Sequence, residues 1–205
     1  IDQQSRAYYK RPLSNIVFMG MGEPLMNYKN VVLAIDKITD AKGLGLAPRR
    51  ITLSTSGIPK MIKKMADDKV RFRLAVSLHS ARQEIRERIM PFTKKITLND
   101  LQESLRYWAE HTGQIITYEY VVWKHINDSQ IDINALVAFC KQIPCKVNLI
   151  EYNPVEGTGF EAASSTAIQH YVSALEKSRI PVTFRRSRGG DIDAACGQLA
   201  NKVGS

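Results

Sequence analysis

Short runs rich in β-branched and aromatic residues alternate with amphipathic helical patterns along almost the whole chain, and this alternation limits the folds open to it. The runs cover residues 16–19, 51–54, 72–78, 115–122, 147–152 and 182–184. Because helical stretches rather than tight turns separate them, we expect parallel strands joined by right-handed crossovers. The sequence therefore predicts an α/β fold, either a partial (β/α) barrel or an open sheet, with too few strands for a closed eight-stranded barrel.

Residues at the ends of the helical stretches indicate where the helices begin and end. Thr97, three residues before Asp100, is predicted to cap one helix, and Thr166 is predicted to cap the last one. Gly43 is the expected C-terminal cap of the first helix that follows a strand. We expect one domain over residues 15–205, preceded over residues 1–14 by a basic arm or the remnant of an upstream helix.

Charge points to anionic partners without selecting one. Lys and Arg outnumber Asp and Glu by 29 to 20, which gives a net charge of +9. Such a surplus favours nucleic acid first, although a basic enzyme without a polyanionic partner explains it equally well. The candidate phosphate contacts are the clusters at residues 49–50 and 185–188, for which a solvated face is the alternative.

The cysteines and the apolar runs indicate the compartment. Three cysteines, Cys140, Cys145 and Cys196, do not make a secreted disulfide framework. The sequence contains no apolar run of membrane-spanning length and no signal peptide, so we expect a cytoplasmic protein with no membrane partner. Because the chain begins with Ile1, we also expect it to be a shortened piece of a longer protein.

Polar residues follow the ends of four predicted strands, where parallel α/β folds place their sites. Glu23, Ser54, the 77–79 run with Ser77 and His79, and Asn153 all reach this edge. Taken singly, the serines are explained as helix caps, His79 as a structural hydrogen-bonding residue and Glu23 as an exposed turn residue. Their convergence on one edge instead favours a site for a small polar ligand.

Glu23 is the most informative of these residues. It lies between Gly22, which allows a ligand to approach the backbone, and Pro24, which fixes the turn. A carboxylate in this position is suited to binding a ligand ammonium group through charge-assisted hydrogen bonds.

Five segments together resemble the radical S-adenosylmethionine (radical SAM) RNA methyltransferases that act on adenine carbons. The similarity runs from about Asn15 to the C-terminus. The segments are residues 18–25 (FMGMGEPL), 53–57 (LSTSG), 72–80 (FRLAVSLHS), 148–154 (NLIEYNP) and 191–199 (DIDAACGQL).

The resemblance implies a role for each matching residue. It implies that Gly22 and Glu23 receive the amino group of S-adenosylmethionine and that Cys196 is the catalytic thiol that becomes methylated. The remaining contacts to the carboxylate, ribose and adenine are implied for Ser54, Ser77, Leu78, His79 and Asn153. Cys140 and Cys145 are expected to be small buried core residues.

The resemblance also implies the reaction and its partners. Two S-adenosylmethionine molecules are used per turnover, the second cleaved at a [4Fe-4S] cluster, and a second cysteine releases the product by forming a disulfide bond with Cys196. The substrates are an adenosine in 23S rRNA and the adenosine 3′ of some tRNA anticodons, with a flavodoxin-like electron donor. Pro24 matches the branch that methylates C2, whereas the antibiotic-resistance branch, which methylates C8, typically has alanine there.

The chain departs from the family pattern upstream of Glu23. The family holds its cluster on a CxxxCxxC loop after the first barrel strand, and no such spacing occurs here. We therefore expect a radical SAM partial barrel that lacks the first strand and the cluster loop, with no metal ligands of its own and no activity alone. A non-catalytic RNA-binding module remains the alternative from a different functional class.

Overall fold

A computed structural model of the chain describes residues 1–153 and 159–185. Six strands form one fully parallel sheet, and their order across the sheet follows their order along the chain. They are β1 (Ile16–Phe18), β2 (Ile51–Thr55), β3 (Arg73–Ser77), β4 (Ile116–Val121), β5 (Cys145–Ile150) and β6 (Val182–Arg185). Because the order never reverses, the sheet follows barrel connectivity rather than doubly wound connectivity, and the α/β prediction is confirmed.

Seven α-helices accompany the sheet. They are α1 (Asp2–Tyr9), α2 (Tyr28–Thr39), α3 (Pro59–Asp67), α4 (Gln83–Ile89), α5 (Leu98–Thr112), α6 (Gln130–Cys140) and α7 (Ser165–Lys177). Short 3₁₀ turns cover Pro24–Asn27, Pro48–Arg50 and Pro91–Lys95. Helix α1 buries none of its residues, and no helix in the described ranges has the length and apolar character to cross a membrane.

Two of the predicted helix ends lie elsewhere in the structure. The cap at Thr97 is confirmed, because its side chain accepts the Asp100 N–H. Helix α7, however, begins two residues earlier than predicted, with Ser164 rather than Thr166 as its cap. Helix α2 ends at Thr39, where the Asp40 N–H bonds back to Asp36, so the prediction of a cap at Gly43 was wrong.

The two faces of the sheet have opposite character because side chains alternate along each strand. One face packs under the helices and carries fully buried residues such as Leu53, Leu74 and Tyr118. The other, inner face carries mostly polar residues, as in a barrel lumen. They include Thr52, Ser54, Arg73, Ser77, Thr117, Glu119, Lys146, Asn148, Thr183 and Arg185.

The first strand is less buried than its apolar sequence predicts. Val17 is 49% exposed, although Ile16 and Phe18 pack against the core. In the described part of the chain β1 pairs only with β2, so one side of this strand has no strand neighbour. The inner face of the sheet is therefore open along its β1 edge.

Candidate functional site at the carboxyl ends of the strands

Glu23 joins the loop after β1 to the end of β2 through four hydrogen bonds. Its Oε1 accepts from the Leu25 N–H at 3.0 Å and the Thr55 hydroxyl at 2.8 Å. Its Oε2 accepts from the Ser56 N–H at 2.8 Å and the Ser56 hydroxyl at 2.5 Å. The carboxylate is thus held in one orientation at the carboxyl edge of the sheet, and its interpretation as an exposed turn residue is wrong.

These four donors fill the acceptor capacity of the carboxylate, since its two oxygens offer about four lone-pair sites. Two donors are backbone N–H groups, and two are hydroxyls that can rotate. An arriving ammonium group would displace a hydroxyl hydrogen and also find the hydroxyl oxygen as a second acceptor. Thr55 and Ser56 therefore belong to the site, although sequence reasoning selected only Ser54 from this run.

Arg86 contacts the same loop residue that holds the Glu23 carboxylate. Its Nη2 donates to the Ser56 carbonyl at 2.6 Å, on the residue whose N–H and hydroxyl hold Glu23. The side chain is fully buried, and its Nε and Nη1 have no partner among the described residues. Burial lowers the pKa of Arg86 to about 10, so the guanidinium remains charged at neutral pH. It forms no ion pair with any described residue.

A polar row crosses the inner face beside this group. Ser77, at the end of β3, lies opposite Glu119 on β4, which lies opposite Asn148 on β5. The Asn148 amide donates to Glu119 Oε1 at 2.9 Å, whereas Oε2 is buried with no partner in the described ranges. Burial raises the pKa of Glu119, which the Asn148 hydrogen bond only partly offsets.

His79 uses one ring nitrogen in a structural hydrogen bond and has its second ring nitrogen left to interact with a ligand. Its Nδ1 accepts the Val121 N–H at 3.2 Å, which leaves the proton of the neutral ring on Nε2. The residue adopts φ 55° and is fixed there because Asn127, fully buried, donates to its carbonyl at 2.7 Å. Burial and the nearby Arg86 charge lower the pKa of His79 to about 4.

This lowered pKa predicts a pH dependence of stability. An unfolded histidine takes up a proton near pH 6.5 and the folded one only near pH 4, so protonation on acidification favours unfolding. The His79 contribution is fully present above pH 6.5 and is lost as the pH falls towards 4, by up to about 3 kcal/mol. Urea unfolding of wild type and His79→Asn between pH 4 and 7.5 measures it.

The difference in unfolding free energy between these two proteins should grow with pH up to 6.5 and then stay constant. His170→Asn is the matched control, because His170 is exposed on α7. Parallel pH curves for wild type and His79→Asn would contradict the prediction.

The remaining predicted site residues differ in how accessible their backbone and side-chain groups are. Gly22 adopts φ 84°, and apart from its chain neighbours no described residue has an atom within 4 Å of the position that a Cβ would occupy, so its backbone is open to a ligand on this side. Leu78 is fully buried, and its N–H bonds to the Glu119 carbonyl, so only its backbone faces the edge. Asn153 is half-buried just after β5. Cys196 lies outside the described residues, as do Arg186 and Arg188.

Both described cysteines are buried, which limits their access to a reactant, although the hydrogen bond between them lowers the pKa of Cys145. Cys140 and Cys145 are both free and buried, as predicted. The hydrogen bond between them and burial raise the pKa of Cys140, which keeps its thiol protonated and a poor nucleophile. Within residues 1–153 and 159–185, no three His, Cys, Asp or Glu side chains group to hold a metal ion. These residues therefore do not fit an iron–sulfur cluster.

The parallel sheet in barrel order agrees with a match to a known family. A model of the radical SAM superfamily matches residues 1–136, and the chain belongs to this superfamily. Members in general use S-adenosylmethionine and a [4Fe-4S] cluster.

Curated and solved proteins give a finer similarity. The chain is 64% identical over 202 residues to the "Probable dual-specificity RNA methyltransferase RlmN" of Flavobacterium johnsoniae, covering 98% of this chain and 58% of that protein. It is thus little more than half as long as this relative. A crystal structure of a radical SAM methyltransferase from Sphaerobacter thermophilus matches with a TM-score of 0.92 and 36% identity, over 96% of this chain and 57% of the other.

A more distant structure shows the same fold only. It is a domain of a pyruvate-formate lyase-activating enzyme from Bacteroides vulgatus, at 14% identity and a TM-score of 0.64. This match covers 84% of this chain and 99% of that one. The same parallel sheet therefore occurs in a protein that shares little sequence identity with this chain.

Proposed function

We propose that the chain forms the S-adenosylmethionine-binding barrel of an RNA methyltransferase that modifies C2 of adenosine in 23S rRNA and tRNA. The main observation behind this proposal is the Glu23 carboxylate, which Thr55 and Ser56 hold at the carboxyl edge of the sheet. Buried polar atoms of Arg86 and Glu119 have no partner within residues 1–153 and 159–185. The similarity to relatives named dual-specificity RNA methyltransferases supports RNA as the substrate. Residues 15–205 make up this core, residues 1–14 precede it, and the protein acts in the cytoplasm.

The described residues fit S-adenosylmethionine. Glu23 and the open Gly22 backbone bind its ammonium group. Arg86 provides buried donors at Nε and Nη1, and Glu119 a buried acceptor at Oε2, and none of these three atoms has a partner among the described residues. Unpaired buried groups of this kind are costly unless a ligand satisfies them. The other proposed contacts are Ser54, Ser77, Leu78, His79 and Asn153.

The protein residues position the ligand and the carrier thiol. S-adenosylmethionine supplies the methyl group when bound, and Cys196 is the proposed carrier of that one-carbon unit to the base. Since no described residues fit the [4Fe-4S] cluster, its ligands must lie outside the described residues. A second cysteine that forms a disulfide bond with Cys196 and a flavodoxin-like electron donor complete the proposed system. This chain by itself is therefore expected to be inactive.

The test is nucleoside analysis of RNA treated with the cluster-containing holoenzyme. We expect 2-methyladenosine in both ribosomal and transfer RNA substrates, measured by mass spectrometry after digestion and by comparison with both methyl isomers. Pro24, which opens the 3₁₀ turn after Glu23, is the observation that favours C2. Formation of 8-methyladenosine would support the C8 branch instead, and absence of any methylated adenosine would reject the enzymatic proposal.

A further inference from the structure

We propose that the sheet's opposite end, at the amino ends of the strands, binds the phosphate backbone of RNA. A cavity of about 720 Å³ opens there. Five cationic residues that line it, here called the basic mouth, are Arg49, Lys69, Arg71, Arg73 and Lys146. The inference rests on the proposed function, since it takes RNA as the substrate, but it concerns a separate surface.

The basic mouth lies at the amino ends of the strands, whereas Glu23 lies at their carboxyl ends. Arg73 is the first residue of β3, and Lys146 is the second residue of β5. In the strand register Lys146 lies opposite Thr117, a buried inner-face residue that also lines the cavity. Because all strands run in the same direction, these residues lie at the amino ends of the strands. This end of the sheet is one strand length, roughly 15–20 Å, from the carboxyl ends where Glu23 lies.

The charge of the basic mouth is not neutralised. Four cations in the described part of the chain form ion pairs with acidic residues, and they are Arg6, Lys64, Arg82 and Lys124. No basic-mouth residue has an ion pair there, and no Asp or Glu lines the cavity. Lys146 does interact with Glu119 electrostatically, since it helps to lower the pKa of Glu119 against the raising effect of burial.

Helix ends do not supply the missing negative charge. Helices α3 and α5 end beside this opening, because Lys69 and His111 of the lining lie at their C-terminal ends. Each helix C-terminus carries roughly half a negative charge, so two ends offset about one of five cations. Clustered like charges in a concave surface focus the field and raise the local concentration of anions.

The distribution of these cations favours a polymer over a small anion. They come from three separate parts of the chain, and Arg49, Lys69, Arg71 and Arg73 are exposed. Small anions are typically bound at helix N-termini or backbone nests, whereas this opening faces helix C-termini. Several exposed cations at a common opening instead match successive phosphates along an RNA strand, a contact mode that carries no sequence information.

The test compares two double variants of equal charge change. Arg71→Gln/Arg73→Gln alters the basic mouth, and Lys60→Gln/Lys63→Gln alters exposed residues of α3 outside the cavity lining. Binding of each chain to a fluorescein-labelled tRNA anticodon stem-loop is measured by anisotropy over a range of salt concentrations. Thermal unfolding checks that the variants fold, and Lys146→Gln provides a second, independent change of the basic mouth.

We expect Arg71→Gln/Arg73→Gln to lower RNA affinity roughly tenfold at moderate salt and to make the slope of log K against log salt shallower by about 1.5. Lys60→Gln/Lys63→Gln should change the RNA affinity and the salt slope much less. Equal losses in both variants would show a net-charge effect only and overturn the proposal, as would no loss in either. Competition by inorganic phosphate at micromolar concentration would also overturn it, in favour of a small-anion site.

Holoenzyme assays separate this inference from the proposed function. If the basic-mouth variant binds RNA weakly and wild-type holoenzyme forms no methylated adenosine, the RNA site is supported and the methyltransferase proposal fails. If wild-type holoenzyme forms 2-methyladenosine and the basic-mouth variant binds RNA like wild type, the inference fails and the proposed function stands.

Discussion

Replacing Glu23 with alanine is expected to weaken S-adenosylmethionine binding by roughly 10- to 150-fold. A hydrogen bond to a charged group contributes about 1.5–3 kcal/mol, and each 1.4 kcal/mol changes affinity tenfold. The carboxylate is already oriented by Thr55 and Ser56, so little ordering opposes the binding of an ammonium group. Its removal also leaves the Ser56 N–H and hydroxyl without their acceptor, which adds a loss of local order.

A second variant separates these two effects. Glu23→Gln keeps the side-chain shape and one acceptor oxygen for the surrounding donors, but it removes the negative charge. We expect a loss of affinity close to that of Glu23→Ala with a smaller loss of thermal stability. Calorimetric titration of S-adenosylmethionine into anaerobic holoenzyme measures it, with Glu103→Gln on the exposed face of α5 as control. Wild-type affinity in Glu23→Gln would move the ammonium site elsewhere.

The sheet was predictable because each strand carries its own local signal. β-branched and aromatic runs separated by helical stretches determine parallel crossovers whatever the details of packing. Helix ends were harder, since several candidate caps stand close together and only backbone geometry selects one. Ser164 and Thr166 are both good caps, and the structure uses Ser164. Similarly, Gly45 rather than Gly43 takes the positive φ after α2.

The sequence predicted that polar residues meet at the carboxyl edge of the sheet, but not which residues hydrogen-bond to Glu23. Glu23 stood out because glycine and proline flank it, yet nothing local indicates that Thr55 and Ser56 would reach it across 32 and 33 residues. Arg86 was missed for a stronger reason. It lies in a run of charged residues on α4 that resembles a solvated face, and only the three-dimensional packing buries it at the Ser56 carbonyl.

The inner face of the sheet shows a similar limit. Strand β4 reads as apolar and aromatic, so Glu119 in its centre appears in sequence as an isolated charge. Only the register, which sets it between Ser77 and Asn148, shows that it belongs to a polar row beside the ligand edge. Roles that depend on neighbours across strands therefore had to come from the structure.

Cys196→Ala is expected to abolish methylated adenosine altogether, while leaving S-adenosylmethionine binding close to wild type. A carrier thiol forms a covalent bond to the one-carbon unit, and no neighbouring side chain replaces that sulfur. The other two cysteines are buried in the core, so neither thiol is accessible as a substitute. Mass spectrometry of nucleosides from RNA treated with holoenzyme measures the loss.

Cys145→Ala is the matched control, because it removes a thiol of the same size from a buried position. It should keep product formation and lose only the stability of a small packing defect, on the order of 1 kcal/mol. In wild-type holoenzyme, an added methyl or methylene group should be found on the peptide spanning residues 191–199 and on neither peptide that holds Cys140 or Cys145. Product formed by Cys196→Ala at a rate near wild type would remove Cys196 from the mechanism and leave the adenine-methylating proposal without its carrier.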